Sequence, residues 1–167
     1  KLKKLNPFVP TIIIRSATVC GYSPRQRLDL TVNILTNHAI NNGVIKVFGG
    51  NQRRPNVHID DITNLYKNLL TVPMAKIAGK VYNFGSKNYT VSEIADIVKK
   101  TVNPKGGIKL EDTDDYRSYR ISSEKIKKDL GFSPRKTVHQ AVNDLVKAFQ
   151  KGKIPNPMTD ERYYNIK

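Results

Sequence analysis

The residues of this chain best equipped for chemistry are arginines at the ends of structural segments. Arg53-Arg54 lies between the turn Gly49-Gly50-Asn51 and the apolar Val57-His58-Ile59, and Arg117 and Arg120 flank Tyr119 just ahead of Ser123. Arg25 and Arg27 occupy the loop after the first apolar run. A guanidinium in such a place presents a planar fork of donors, which grips a carboxylate or a phosphate with two parallel bonds. The same arginines also suit surface ion pairs with the nearby aspartates, and spacing alone does not choose. Other chemistry is less well equipped. His38, His58 and His139 are far apart and lack metal-ligand spacing, so packing or surface roles are expected. Glu111-Asp112 and Asp114-Asp115 fit no calcium loop and are expected to form a solvated loop. No metal site is expected. No glycine-rich phosphate loop follows a strand and no Tyr-x-x-x-Lys pair occurs, so no catalytic residue is assigned in this chain.

Alternating elements must position these arginines. Residues 1–6 read as the tail of a helix whose start lies upstream. Residues 11–16 form a continuous apolar run, as in a strand of a parallel sheet buried on both faces. Asp29 can cap a helix running to about Asn41, which Asn42-Gly43 ends. Residues 44–48 and 57–59 read as strands, and Asp60 or Asp61 as the cap of a helix through Leu70 with Ile62, Leu65, Tyr66, Leu69 and Leu70 on its apolar face. Residues 80–84 form another strand, closed by Gly85. Thr90-x-x-Glu93 and Thr137-x-x-Gln140 have capping-box spacing ahead of two amphipathic helices. Residues 108–110 suit a short strand, residues 123–130 a helix stopped by Gly131, and Pro155 and Pro157 mark a loose tail. Strands alternating with helices argue an α/β architecture.

With 167 residues, 38% of them apolar, the chain can bury one ordinary core. No apolar run approaches the roughly 20 residues of a membrane helix, so no membrane partner is expected. The formal net charge of +15 raises the possibility of an anionic partner. The lysines are scattered over polar helix faces, and no basic stripe with interleaved aromatics appears, so nucleic acid is not the expected partner. A single cysteine, Cys20, allows no internal disulfide and suits a reducing, cytoplasmic compartment.

Five segments in order resemble the extended short-chain dehydrogenase/reductase family of NAD-dependent nucleotide-sugar epimerases and dehydratases. They are Arg15-Ser16-Ala17-Thr18-Val19-Cys20-Gly21; Arg27-Leu28-Asp29-Leu30-Thr31-Val32-Asn33; Gly49-Gly50-Asn51-Gln52-Arg53-Arg54-Pro55-Asn56-Val57-His58-Ile59-Asp60-Asp61; Val81-Tyr82-Asn83-Phe84-Gly85; and Asp115 to Arg120 with Leu130-Gly131-Phe132-Ser133-Pro134. Thr18 stands where the family usually has Asn, and Cys20 where it usually has Tyr.

The resemblance implies a fold: the last strands of a Rossmann-like parallel sheet plus the small C-terminal α/β substrate-binding lobe. Residues 1–28 and 79–103 would be remnants of the sheet and a helix, and residues 29–78 and 104–167 the lobe. It also implies roles. Arg54 and Arg117 would grip the nucleotide diphosphate, with Thr18, Asp29, Asn33 and Tyr119 bordering the substrate and Ser16 and Ala17 facing the cofactor. That cofactor would be NAD, bound mainly by an upstream half that also carries the catalytic Tyr and Lys. The intact parent would oxidise a sugar carbon to a ketone, then epimerise or dehydrate it. The parent would dimerise through that upstream half, leaving this portion monomeric and inactive alone. The competing readings are a basic module for nucleic acid or other anions, and a non-catalytic scaffold of the same fold.

Overall fold

The computed structural model describes residues 9–115 and 117–165, so the helix tail expected at residues 1–6 lies outside the described residues. Strand β1 (Ile13–Ser16) runs parallel to β5 (Val81–Phe84), with Ile13 opposite Val81 and Ser16 opposite Phe84, the pairing expected of a remnant Rossmann-like sheet. β1 is not buried on both faces as expected: Ile13 and Ile14 are half-buried, and Arg15 and Ser16 are exposed. Among the described residues it has a ladder partner on one edge only.

The two strands then part. The Ala17 N–H still donates to Phe84 O at 2.8 Å, but the Ser86 N–H already turns to Asn56 O at 2.8 Å. Into the fork comes β4 (Arg53–His58), longer than the strand expected at residues 57–59. It lies parallel to β2 (Thr18–Cys20), with Thr18 opposite Asn56, and antiparallel to β6 (Asn88–Thr90), with Pro55 opposite Asn88. Gly85 sits at the branch point, where an added Cβ would come to 2.7 Å from the Ala17 Cβ and 2.5 Å from Ile121 Cδ1. A third pair, β3 (Ile45–Phe48) with β7 (Ile108–Glu111), is parallel.

Helix starts follow the local side-chain chemistry. Thr90 and Thr137 close the expected capping boxes on α4 (Val91–Val102) and α6 (Val138–Gln150). Gly131, at φ +72°, ends α5 (Glu124–Leu130) in the left-handed conformation that favours glycine. Two expected caps are corrected. α1 (Thr31–Asn41) starts from Leu30 without a side-chain cap, because the Asp29 carboxylate is taken by Arg27 and by the Asn165 N–H. α2 (Ile59–Leu69) starts earlier than expected, from His58, whose Nδ1 accepts the Asp60 N–H at 3.1 Å. Asp61 instead accepts the backbone N–H groups of Arg135 and Lys136. On the expected apolar face of α2, Ile62, Leu65 and Leu69 are buried, while Tyr66 and Leu70 face solvent. A short helix α3 (Met74–Ile77) follows α2.

The core divides along other lines than the expected boundaries. α2 packs its Ile62, Leu65 and Leu69 with Ala17, Tyr82 and Phe84 of the forked sheet, with Ile126 of α5. α4 packs Ile94, Ala95 and Val98 with α1, α6 and β3. Residues 59–69 therefore go with the sheet, and residues 91–102 with the lobe. The reason is chain direction at the fork, since β6 carries the chain away from β5 before α4 begins. The tail is not loose either. Ile154 is buried with Leu28, Leu145 and Ala148, and Tyr163 O accepts the Leu28 N–H at 2.8 Å. No helix among the described residues is long and apolar enough to cross a membrane.

Candidate functional site

The chain from 117 to 123 is stitched across the fork. Ser118 Oγ accepts the Arg53 N–H at 3.0 Å, and the Tyr119 N–H reaches Arg53 O at 3.5 Å. The Ile121 N–H donates to Asn88 Oδ1 and Ile121 O accepts from Asn88 Nδ2, both at 3.0 Å. Ser123 Oγ accepts the Gly85 N–H and donates to Gly85 O. These bonds hold a loop without regular structure over the carboxyl ends of β1 and β5. In open α/β sheets that is where ligands bind.

Two arginines from separate parts of the sequence meet there. Arg54 donates through Nη2 to Asp115 Oδ2 at 3.2 Å and through Nη1 to the carbonyl oxygen of Arg117, 63 residues away in sequence. Arg117 grips the same carboxylate with its fork, Nε to Oδ1 at 2.7 Å and Nη2 to Oδ2 at 2.8 Å, and its N–H adds a bond to Oδ1. The Arg117 hydrogen bond, with the charges of Arg117 and Arg54, holds the Asp115 carboxyl well below the usual carboxylate range. Beside this cluster is a cavity of about 320 Å³ lined by Gly49, Asn51, Gln52, Thr113, Asp115 and Ser118. Gly50 and Gly49 let the loop fold tightly there, the Gly50 N–H donating to Gln52 Oε1 at 2.6 Å.

The other residues singled out from the sequence fall in distinct places. Ser16 is exposed at the end of β1, Ala17 is buried in the fork, and Thr18 is half-buried at the start of β2. Tyr119 is 48% exposed, beside Arg53. Asp29 and Asn33 belong to a different network. Asn33 Oδ1 accepts the Gly21 N–H at 3.1 Å and its Nδ2 donates to Arg27 O at 2.8 Å, so a buried amide spans the 21–27 loop. Asp29 holds Arg27 on one side and the tail at Asn165 on the other.

Sequence reasoning offered Asp115 only as a member of an acidic loop and as an ion-pair partner for Arg117, and missed that it also holds Arg54. Its signal was local: an aspartate two residues before an arginine accepts that residue's N–H in an Asx-turn. It also missed that His58, Asp60 and Asp144 offer three ligand atoms within 4.8 Å of one another. Each has protein partners already. His58 Nε2 lies 3.2 Å from Asp144 Oδ2, and Lys136 Nζ lies 3.7 Å from Asp60 Oδ2. Burial, with Asp61 nearby, pushes the Cys20 thiol up to about 12, which leaves it a packing residue.

Parallel strands that part at their carboxyl ends, with two arginines meeting on the loop that is tied to the fork, define an α/β arrangement built on part of a Rossmann-like sheet. No family model matches the sequence. Solved structures do match the fold. An epimerase from the thermophilic methanogen Methanothermobacter thermautotrophicus superposes with a TM-score of 0.79 at 16% identity, over 91% of this chain and 47% of its own. The dTDP-glucose 4,6-dehydratase of Bacillus anthracis, solved with NAD, gives 0.74 at 21% identity, over 98% and 50%. The UDP-glucuronic acid 4-epimerase of Bacillus cereus, solved with UDP-glucuronic acid and NAD, gives 0.73 at 21% identity, over 86% and 46%. The chain therefore has the fold of the extended short-chain dehydrogenase/reductase epimerases and dehydratases. It spans about half the length of the solved chains it matches.

Proposed function

We propose that this chain supplies the substrate-gripping part of an NAD-dependent sugar-nucleotide epimerase or dehydratase, with Arg54 and Arg117 as the diphosphate clamp. The observation that carries the reading is their convergence on one carboxylate, Arg54 from the start of β4 and Arg117 from the loop that Ser123 ties to Gly85 after β5. A guanidinium fork that takes two carboxylate oxygens can take two phosphate oxygens in the same way. The positions also match those at which the resembling family places its diphosphate arginines.

The remaining residues take supporting parts in this reading. Tyr119 stands on the same loop with its ring accessible for the nucleotide, and Thr18 borders the sugar. Asn33 and Asp29 shape the 21–29 loop. NAD, held mainly by a partner half, would accept and return hydride. Of this chain's residues, Ser16 fits that neighbourhood best, being exposed at the end of β1 where Ala17 and Gly85 are too tightly packed to admit a ligand. The work of this part is then to orient the substrate, which lowers a barrier by removing the freedom of the reacting groups.

Calorimetry with UDP and dTDP tests the reading. Arg54→Ala and Arg117→Ala are expected to weaken binding by roughly tenfold to a hundredfold, as loss of charge-assisted bonds of about 1.5–3 kcal/mol dictates. Arg135→Ala, on the exposed turn before α6, serves as the control. Site variants that bind as tightly as that control refute the clamp.

A further inference from the structure

We infer that Asp115 is an internal competitor: its carboxylate fills the seat between Arg54 and Arg117 until a phosphate-bearing ligand displaces it. The inference rests on the clamp proposed above and adds a gate to it.

Both oxygens of the carboxylate are committed. Oδ1 accepts the Arg117 N–H at 3.2 Å and Nε at 2.7 Å, and Oδ2 accepts Arg117 Nη2 at 2.8 Å and Arg54 Nη2 at 3.2 Å. The Nε–Nη2 edge of Arg117 is the edge that would receive two phosphate oxygens. A diphosphate cannot use it while Asp115 does. Nor can the anion simply join the cluster, because a carboxylate in van der Waals range of a phosphate repels it.

The seat is easily emptied. The Asp115 side chain is 40% exposed and that of Arg117 84% exposed, so their contact lies in water. Exposed pairs of this kind contribute little. Arg54 is different, with its side chain only 14% exposed and a second bond to the Arg117 carbonyl. It keeps its place when the carboxylate rotates away. The clamp is thus assembled in advance and neutralised in part, and it opens to ligands carrying enough charge to evict one carboxylate. The occupied seat weakens every ligand that needs it by one common factor, set by how often the carboxylate leaves.

The test is titration of the full chain with UDP and with UMP, comparing the unchanged protein with Asp115→Asn and Asp115→Ala. Competition predicts that both variants bind UDP about two- to fivefold more tightly, the most that an exposed ion pair allows. It also predicts that UMP and UDP gain by the same factor, because a seat that must be emptied first weakens every ligand of that seat equally. Thermal melting establishes that each variant is folded. If UDP binds as well or more weakly to both folded variants while Arg54→Ala still abolishes binding, Asp115 is an anchor for the arginines and the gate is overturned. If neither arginine nor Asp115 affects UDP binding, the clamp itself fails, and the gate with it.

Discussion

His58 Nε2 lies 3.2 Å from Asp144 Oδ2 while its Nδ1 accepts the Asp60 N–H, so one buried ring ties the start of α2 to the middle of α6. An Nδ1 that accepts leaves the ring proton on Nε2, aimed at the Asp144 carboxylate. The ring is 1% exposed, and losing it removes a cap worth about 0.5–2 kcal/mol and leaves a buried gap. His58→Ala is expected to lower stability by about 2–3 kcal/mol, and His58→Asn, which can still cap, by less. Urea denaturation of the two variants measures the difference; equal losses would show that the cap contributes nothing.

Gly85→Ala is expected to cost about 1–3 kcal/mol, because the new methyl group must push apart Ala17 and Ile121 at the fork. Backbone strain plays no part, since the clash is purely one of space. The same displacement moves Ser123 and the loop that carries Arg117, so UDP binding should weaken together with the melting temperature. A variant as stable as the parent would mean that the strands at the fork separate freely.

Cys20 should resist thiol reagents at neutral pH in the native state and react fully once unfolded. The residue is 2% exposed, its thiol donates to Val57 O at 3.4 Å, and burial disfavours the thiolate that such reagents require. Reaction with a chromogenic disulfide, with and without denaturant, distinguishes the states. Rapid native labelling would contradict the packing between β2 and β4.

Acid should loosen the tail before it unfolds the rest. Burial acts to raise the Asp29 pKa, but the bonds from Arg27 and from the Asn165 N–H outweigh it and leave the group below its ordinary value. A carboxylate with a lowered folded-state pKa contributes stability above the usual carboxylate range, and that contribution disappears as pH falls through the lowered value. The protection of the Leu28 amide, whose N–H is held by Tyr163 O, should therefore fall on acidification in the parent once its exchange rate is divided by the intrinsic rate at each pH. In Asp29→Asn that protection should be low at every pH. A parent profile flat with pH would remove Asp29 from the account.

Much of this architecture was legible in the residues themselves. The apolar runs at 11–16 and 80–84 gave two strands, and two threonine capping boxes gave α4 and α6, because each of these signals is local, while the parallel pairing of the strands came from the resemblance. Arg54 and Arg117 were legible as a pair only through a resemblance to known enzymes, since nothing between them announces that they meet. Asp115, the reversal of His58 and Asp61 at the start of α2, and the anchored tail were not legible. In each case a partner far along the chain takes part: Arg54 beside Arg117 at Asp115, Asp144 at His58, the Arg135 and Lys136 amides at Asp61, Leu28 at Tyr163.

The anchored tail has a consequence for how the protein is made. Arg25 Nη1 bonds to Arg162 O across 137 residues of sequence, and Asn165 closes on Asp29 across 136. At a translation rate of about 5–20 residues per second, the 21–29 loop waits on the order of 10 s for the segment that fastens it. Until then Leu28 has no buried seat and the Asp29 carboxylate has Arg27 alone. A chain cut before residue 154 is therefore expected to leave its 21–29 loop unfastened, without Ile154 beside Leu28 or the Tyr163 O bond to the Leu28 N–H.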